Sequence, residues 1–213
     1  MKTVLIYDTE TTGLPLWSKP SEDPGQPRVT QLAAELCNQE TGETLAYMDF
    51  LIKPDGWTIP DEVAALTGIT TDKARKFGVS IQQVLPMFLA MWSNASEHRV
   101  AHNESFDMRM IRIELMRHTA YGASFADAWK EAPAFCTCSS SLNIVNLPPT
   151  AKMLAAGRNT PKQPNLGEAY KHFTGEALVN AHNAATDIMA CKAVYFALKK
   201  LSTHDQEQLA CSN

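Results

Sequence analysis

The sequence predicts an α/β fold built on a five-stranded mixed sheet flanked by helices. Three observations carry this expectation. The chain opens on a β-rich run, continues through two β-prone runs joined by a turn, and then alternates helical and extended segments, in the order β-β-β-α-β-α-β-α. A hairpin meander makes the first three strands antiparallel. The crossover helices that follow make the later strands parallel and place helices on both faces.

Each element has its own signal. Residues 2–7 (KTVLIY) form the first strand. From Gly13 to Pro27 the chain carries Pro15, Pro20, Pro24 and Pro27, too many for an element interior, and this stretch is expected to be a surface loop. Residues 28–37 and 44–53 are two strands of a hairpin turned by NQETGE. Pro60 suits the first turn of a small helix. A helix over 80–92 starts with Ser80 and Gln83 at capping-box spacing and keeps Ile81, Val84, Leu85, Phe88 and Leu89 at helical period. Arg99 to Ala101 is a short strand. Glu104 to Arg117 is a helix with Phe106, Met110 and Ile113 on one stripe, and Phe135 to Thr137 is the last strand. Residues 148–165 are expected to be a loop. Ala184 to Leu201 form a long helix with Cys191, Val194, Leu198 and Leu201 facing inward. All of 1–213 is expected to form a single domain.

Composition narrows the class. With 213 residues, 45% hydrophobic and 20% charged, the chain is neither disordered nor fibrous and can bury a core without disulfides. No apolar run approaches the roughly 18 residues of a membrane span. The opening MKTVLIYDTE leaves no room for a signal peptide. The net charge of −4 argues against a protein that coats DNA, and it is compatible with an enzyme that holds nucleic acid through metal ions. Five cysteines, an odd number without a CxxC pair, read as reduced thiols, which places the protein in the cytoplasm.

Three short segments carry candidate chemistry. In Asp8-Thr9-Glu10, strand alternation puts the two carboxylates on one side, where a divalent cation would relieve their repulsion. In Asn103-Glu104-Ser105-Phe106-Asp107, Asn103 suits a helix N-cap and Asp107 falls in the first turns. His182 and Asp187 are five apart, about 140° around a helix, so they converge only if His182 precedes the helix. Taken singly, each segment also has a plain structural reading: a solvated strand end, or acids that complement helix dipoles. Together they supply four carboxylates and one histidine, the set that adjacent metal ions and a water-activating base require.

DTETTG, HNESFD and HNAATD, in that order and spacing, resemble the three motifs of the DEDDh superfamily, the DnaQ-like 3′–5′ exonucleases. The resemblance runs from Val4 to about Leu198 and includes the LTGIT stretch. It implies an RNase H-like fold and two divalent ions, Mg²⁺ or Mn²⁺, with Asp8 bridging both, Glu10 and Asp187 completing the tighter site and Asp107 the looser one. His182 matches the general base. Thr9, Thr11, Thr12 and Gly13 match the backbone that holds a terminal 3′-OH, Leu14 the wedge against the last base, and Phe106 a stacking partner that also fits the core. Asn103 either orients substrate or caps its helix, and His102 reads as a structural residue.

The implied substrate is a nucleic-acid 3′ end. Single-stranded DNA is favoured by likeness to proofreading enzymes, and RNA of the ribonuclease T or oligoribonuclease type is the alternative. A third reading, a non-catalytic binding module, conflicts with an intact ligand set. A DNA polymerase or a second copy of the chain is a possible companion, no membrane is expected, and the whole suits a bacterial or phage protein. Arg109, Arg112, Arg117, Lys152, Arg158 and Lys162 fit solvated charged faces better than phosphate contacts. The Pro15–Pro27 loop is longer than the connection common in the family, and its Trp17 would either stack on a base or pin the loop.

Overall fold

The computed structural model describes residues 1–118 and 122–210, with side chains through residue 202. Cys211 therefore lies outside the described residues. Five strands form one sheet: β1 (Thr3–Thr11), β2 (Val29–Asn38), β3 (Thr44–Leu51), β4 (His98–Ala101) and β5 (Ala134–Cys136), in the spatial order β3-β2-β1-β4-β5. β1 runs antiparallel to β2 and β2 to β3, whereas β4 is parallel to β1 and β5 to β4. This is the RNase H-like architecture expected above.

Alternation along β1 divides the core. Leu5 and Tyr7 face one layer, packed against α3 (Ile81–Ser93) and α4 (Glu104–Arg117) through Val84, Phe88, Met110 and Ile113. Trp129 of α5 (Gly122–Glu131) stands edge-on to both Tyr7 and Phe88 in this layer. Val4 and Ile6 face the opposite layer, filled by Ile188, Cys191 and Tyr195 of α9 (Ala184–Ala210). The same alternation continues past the core, so Asp8 and Glu10 emerge on the α9 side and Thr9 on the α4 side.

Several sequence expectations need correction. β1 extends to Thr11, because β2 keeps pairing with it through Glu10↔Gln31. Thr137 is not in the last strand: it begins α6 (Thr137–Val145) and turns its hydroxyl back to the Ala101 carbonyl. The 148–165 segment is not all loop, since Thr150 caps α7 (Ala151–Ala155) by accepting from the Met153 N–H. Also unanticipated are α2 (Thr71–Phe77), α5, and α8 (Leu166–Thr174), which opens on an Asn165/Glu168 capping box. Ser80 caps α3 through the Gln82 N–H, without the reciprocal bond from Gln83. α9 runs on to Ala210, and Leu201 is exposed, because by that turn the helix has passed the edge of the sheet. Pro60 does precede α1 (Asp61–Thr67). No described helix is long and apolar enough to cross a membrane.

Candidate active site

The parallel pairing of β1 with β4 stops at Ile6↔Val100. Beyond that point one edge of β1 has no strand partner, and its N–H groups need another acceptor. The chain leaves β4, turns through His102 and Asn103, and starts α4. The turn depends on Asn103 adopting φ 67°, a left-handed conformation that asparagine tolerates. Asn103 occupies the N-cap position, but its side chain makes no capping bond. The first turn of α4 then brings Asp107 to β1, where Oδ1 accepts from the Thr9 N–H at 3.0 Å and the Thr9 hydroxyl at 2.7 Å.

α4 is fixed from below. Glu104 is buried, accepts from Arg99 Nε at 2.6 Å and from the Tyr7 hydroxyl at 2.9 Å. Arg99 is itself buried, donates to the carbonyls of Trp129 and Ala132, and lies 4.4 Å over the Trp129 ring. His102 lies on the side of the cleft and is held at both ring nitrogens, which meet Thr137 Oγ1 at 3.0 Å and the Pro164 carbonyl at 3.1 Å.

The third motif arrives from the other layer. Asn183 caps α9, its side chain accepting from the Thr186 N–H and its carbonyl from the Asp187 N–H. The Gln31 side chain on β2 receives the Ala184 N–H, tying the helix start to the sheet. His182 stays outside the helix at φ 65°, which lets its N–H reach Asp187 Oδ2 at 3.1 Å. The condition set by the five-residue spacing is thus met: Glu10, His182 and Asp187 place ligand atoms within 4.8 Å of one another.

Asp8, Glu10, Asp107, His182 and Asp187 line one cleft of about 450 Å³, together with Thr9, Thr11, Gly13, Leu14, Asn103 and Phe106. Of the sequence candidates, Thr12 is not on that lining. It turns toward β2, exchanging backbone and hydroxyl hydrogen bonds with Arg28. Sequence reasoning missed Val63, Leu66 and Thr67 of α1, and Leu166, which form an apolar wall of the same cleft. LTGIT was visible as a pattern, but nothing in it indicated that α1 folds over the strand ends.

The electrostatics of the cleft are those of crowded, dehydrated acids. Removal from water, then Asp107, Asp187 and Glu10 in turn, hold the Asp8 carboxyl well above the usual range. Burial and the Asp187 charge push Glu10 up to about 7. Burial pushes Asp107 up to about 8 against the pull of the two Thr9 hydrogen bonds, and Asp187 up to about 6 against that of the His182 N–H. Asp187 Oδ1 is buried with no hydrogen-bond partner among the described residues. A donor set of crowded carboxylate oxygens with one imidazole, whose ionisation is opposed by burial and mutual repulsion and which includes an unsatisfied oxygen, fits a hard divalent cation.

The arginines after the second motif are not a solvated face. Arg109 donates to the Lys19 carbonyl, Arg112 to Ser21 Oγ, and Arg117 to the Pro27 and Gln26 carbonyls. They fix the proline-rich loop, on which Trp17 is exposed.

No curated protein sequence matches the chain at a significant level. Among solved structures, E. coli exonuclease I in complex with a dT13 oligonucleotide is similar over 100% of this chain and 43% of that one, at 21% identity and a TM-score of 0.69. The zinc-bound form of an E. coli exonuclease I–single-stranded DNA complex matches over 99% of this chain and 43% of that one, at 19% identity and 0.67. A product-bound exonuclease I matches over 99% and 48%, at 19% identity and 0.66. These likenesses show a shared fold, and the chain spans less than half the length of those proteins. The profile of the RNase_T family, described as an exonuclease, matches residues 5–195, a stretch that contains all five converging residues. The chain belongs to the RNase_T exonuclease family, within the DEDDh superfamily whose three motifs it carries.

Proposed function

We propose that the chain is a metal-dependent 3′–5′ exonuclease that removes nucleoside 5′-monophosphates from single-stranded DNA. One observation carries the reading: three distant segments deliver Asp8, Glu10, Asp107, Asp187 and His182 into one cleft, where Asp187 Oδ1 has no hydrogen-bond partner among the described residues. Asp8, Glu10 and Asp187 would hold one Mg²⁺ or Mn²⁺, and Asp8 with Asp107 a second. Such ions supply Lewis-acid activation of water and charge balance at the departing oxygen. His182, exposed at the cleft and held by its backbone beside Asp187, takes the proton of the attacking water at an imidazole nitrogen. Phe106, Leu14, Val63 and Leu66 offer apolar faces for the terminal base, and Thr9 to Gly13 the backbone that receives the 3′ end. DNA is preferred over RNA because the second motif most resembles the proofreading group and oligonucleotide-bound exonuclease I shares the fold. In this reading the enzyme acts in the cytoplasm, alone or beside a polymerase.

The test is a 5′-labelled single-stranded DNA oligomer, with a matched RNA, in Mg²⁺ or Mn²⁺. A ladder shortening from the 3′ end, abolished by EDTA and reduced at least 100-fold by His182→Ala, supports the reading. Faster cleavage of RNA overturns the substrate preference, and no cleavage of either overturns the activity.

A further inference from the structure

A second cavity, of about 550 Å³, lies between the start of β2, the end of β3, the start of α3 and the end of α4. Arg28, Lys53, Arg117 and His118 line it, and Trp57 forms part of the wall. Its acids do not balance these groups. Glu114 is already committed, accepting on Oε1 from Arg117 at 2.9 Å and from the Val29 N–H at 3.1 Å. Asp55 is exposed at the margin. Among the described residues neither Arg28 nor Lys53 has a carboxylate within ion-pair distance, and the buried His118 Nε2 has no hydrogen-bond partner. Burial lowers the pKa values of Arg117 and His118, and Arg28 lowers them further against the pull of Glu114. Arg28 and Lys53 thus line a concave space without a paired carboxylate, beside an Arg117 whose charge Glu114 already meets.

The cavity adjoins the candidate active site. Thr11 and Gly13 line the catalytic cleft, and Thr12 between them is bonded through its N–H and hydroxyl to the backbone of Arg28, both at 2.9 Å. The Thr12–Arg28 pair thus links the linings of the two spaces.

We propose that this cavity binds phosphate, and that the phosphates it takes belong to the substrate strand upstream of the nucleotide being removed. The second part rests on the nuclease reading above; the first does not. Guanidinium and ammonium groups left without carboxylates are the chemistry that recognises phosphodiester oxygens.

Two measurements on the whole chain and its Arg28→Ala/Lys53→Ala variant test it. Neither side chain makes a hydrogen bond among the described residues, so the variant should melt with the wild type in chloride. In EDTA, inorganic phosphate should raise the melting temperature of the wild type above that in chloride of equal ionic strength, and should fail to do so for the variant. An equal response of the two proteins overturns the site. With metal present, KM for a DNA octamer should rise about tenfold in the variant, and the salt dependence of KM should lose about one to two contacts' worth of slope. KM and kcat for a dinucleotide should not move. If KM changes equally for both lengths, or for neither, the strand assignment falls, and a mononucleotide that displaces phosphate then identifies the cavity as a site for free nucleotide. A wild type inactive on every oligomer refutes the nuclease reading while leaving the phosphate titration readable.

Discussion

Thr9 places both of its hydrogens on one oxygen of Asp107, the N–H at 3.0 Å and the hydroxyl at 2.7 Å. The pair joins the edge of β1 that β4 leaves unpartnered to the first turn of α4, and it sets where the Asp107 carboxylate points. Thr9→Val keeps the shape and the N–H bond but removes the hydroxyl donor. A charge-assisted bond of this kind contributes about 1.5–3 kcal/mol. Loss of an outer partner of a metal-ligating carboxylate costs about 10–100-fold in metal affinity or activity. The expected result is a Mn²⁺ titration midpoint raised at least tenfold. Because the Thr9 bonds pull the Asp107 value down, the acidic limb of the rate profile should also move to higher pH. An unchanged midpoint would show that Asp107 is oriented by other means.

The second prediction concerns the ion pair beneath α4. Arg99 and Glu104 are both buried, 2.6 Å apart, and Tyr7 shares the same Glu104 oxygen. Arg99→Met leaves a buried carboxylate without its counter-charge, a loss of about 3–5 kcal/mol. At roughly 2–4 °C per kcal/mol for a chain of this size, the melting temperature should fall by about 10 °C. Adding Glu104→Gln should recover much of it, since glutamine still accepts from Tyr7 and carries no charge. Thermal melts of the two variants decide the point, and a double variant no better than Arg99→Met would refute it.

The cluster itself should cost stability when it is free of metal. Asp187 has its folded value raised from 3.8 to about 6, so its ionisation is harder in the folded chain than in the unfolded one. That cost is absent below about pH 4, grows as pH rises, and is complete above about pH 6. Asp187→Asn should therefore leave the metal-free melting temperature unchanged at pH 4 and raise it at pH 8, by the equivalent of about 1–3 kcal/mol. The same variant should lose nearly all hydrolysis. Added Mg²⁺ or Mn²⁺ should stabilise the wild type more at pH 8 than at pH 5, because protons compete with metal for the carboxylates. Equal melting temperatures at pH 8 would mean that the cleft is more hydrated than its geometry indicates.

The sequence made the strands and the five site residues legible because their signals are local. Alternation gives the side on which Asp8 and Glu10 lie, and the spacing of His182 and Asp187 requires a helix to begin between them. What stayed hidden depends on distant partners. Arg109, Arg112 and Arg117 read as surface charge, because the carbonyls and hydroxyl that receive them lie some ninety residues earlier. α1 could be placed after Pro60, but its role as a cleft wall follows from the path of the chain over the strand ends. α8 did have a readable start, the Asn165/Glu168 box, masked by the prolines just before it.

The proline-rich loop supplies the last prediction. Gln26 is buried within it, accepting from the Leu16 N–H at 2.9 Å and donating to the Leu16 and Pro20 carbonyls at 3.1 and 2.9 Å. It does for the loop interior what the three arginines do for the side that faces α4, and Trp17 stays exposed. Gln26→Ala removes the interior bonds and leaves the Leu16 N–H without its acceptor, while the Leu16 carbonyl keeps the Lys19 N–H at 3.0 Å. Because the loop carries little of the hydrophobic core, global stability should fall by only about 1–2 kcal/mol. Local opening should rise much more, so limited proteolysis between Leu16 and Gln26 should accelerate by at least tenfold while the rest of the chain resists. Loss of protection across the whole sheet in hydrogen exchange would instead make the loop part of the cooperative fold.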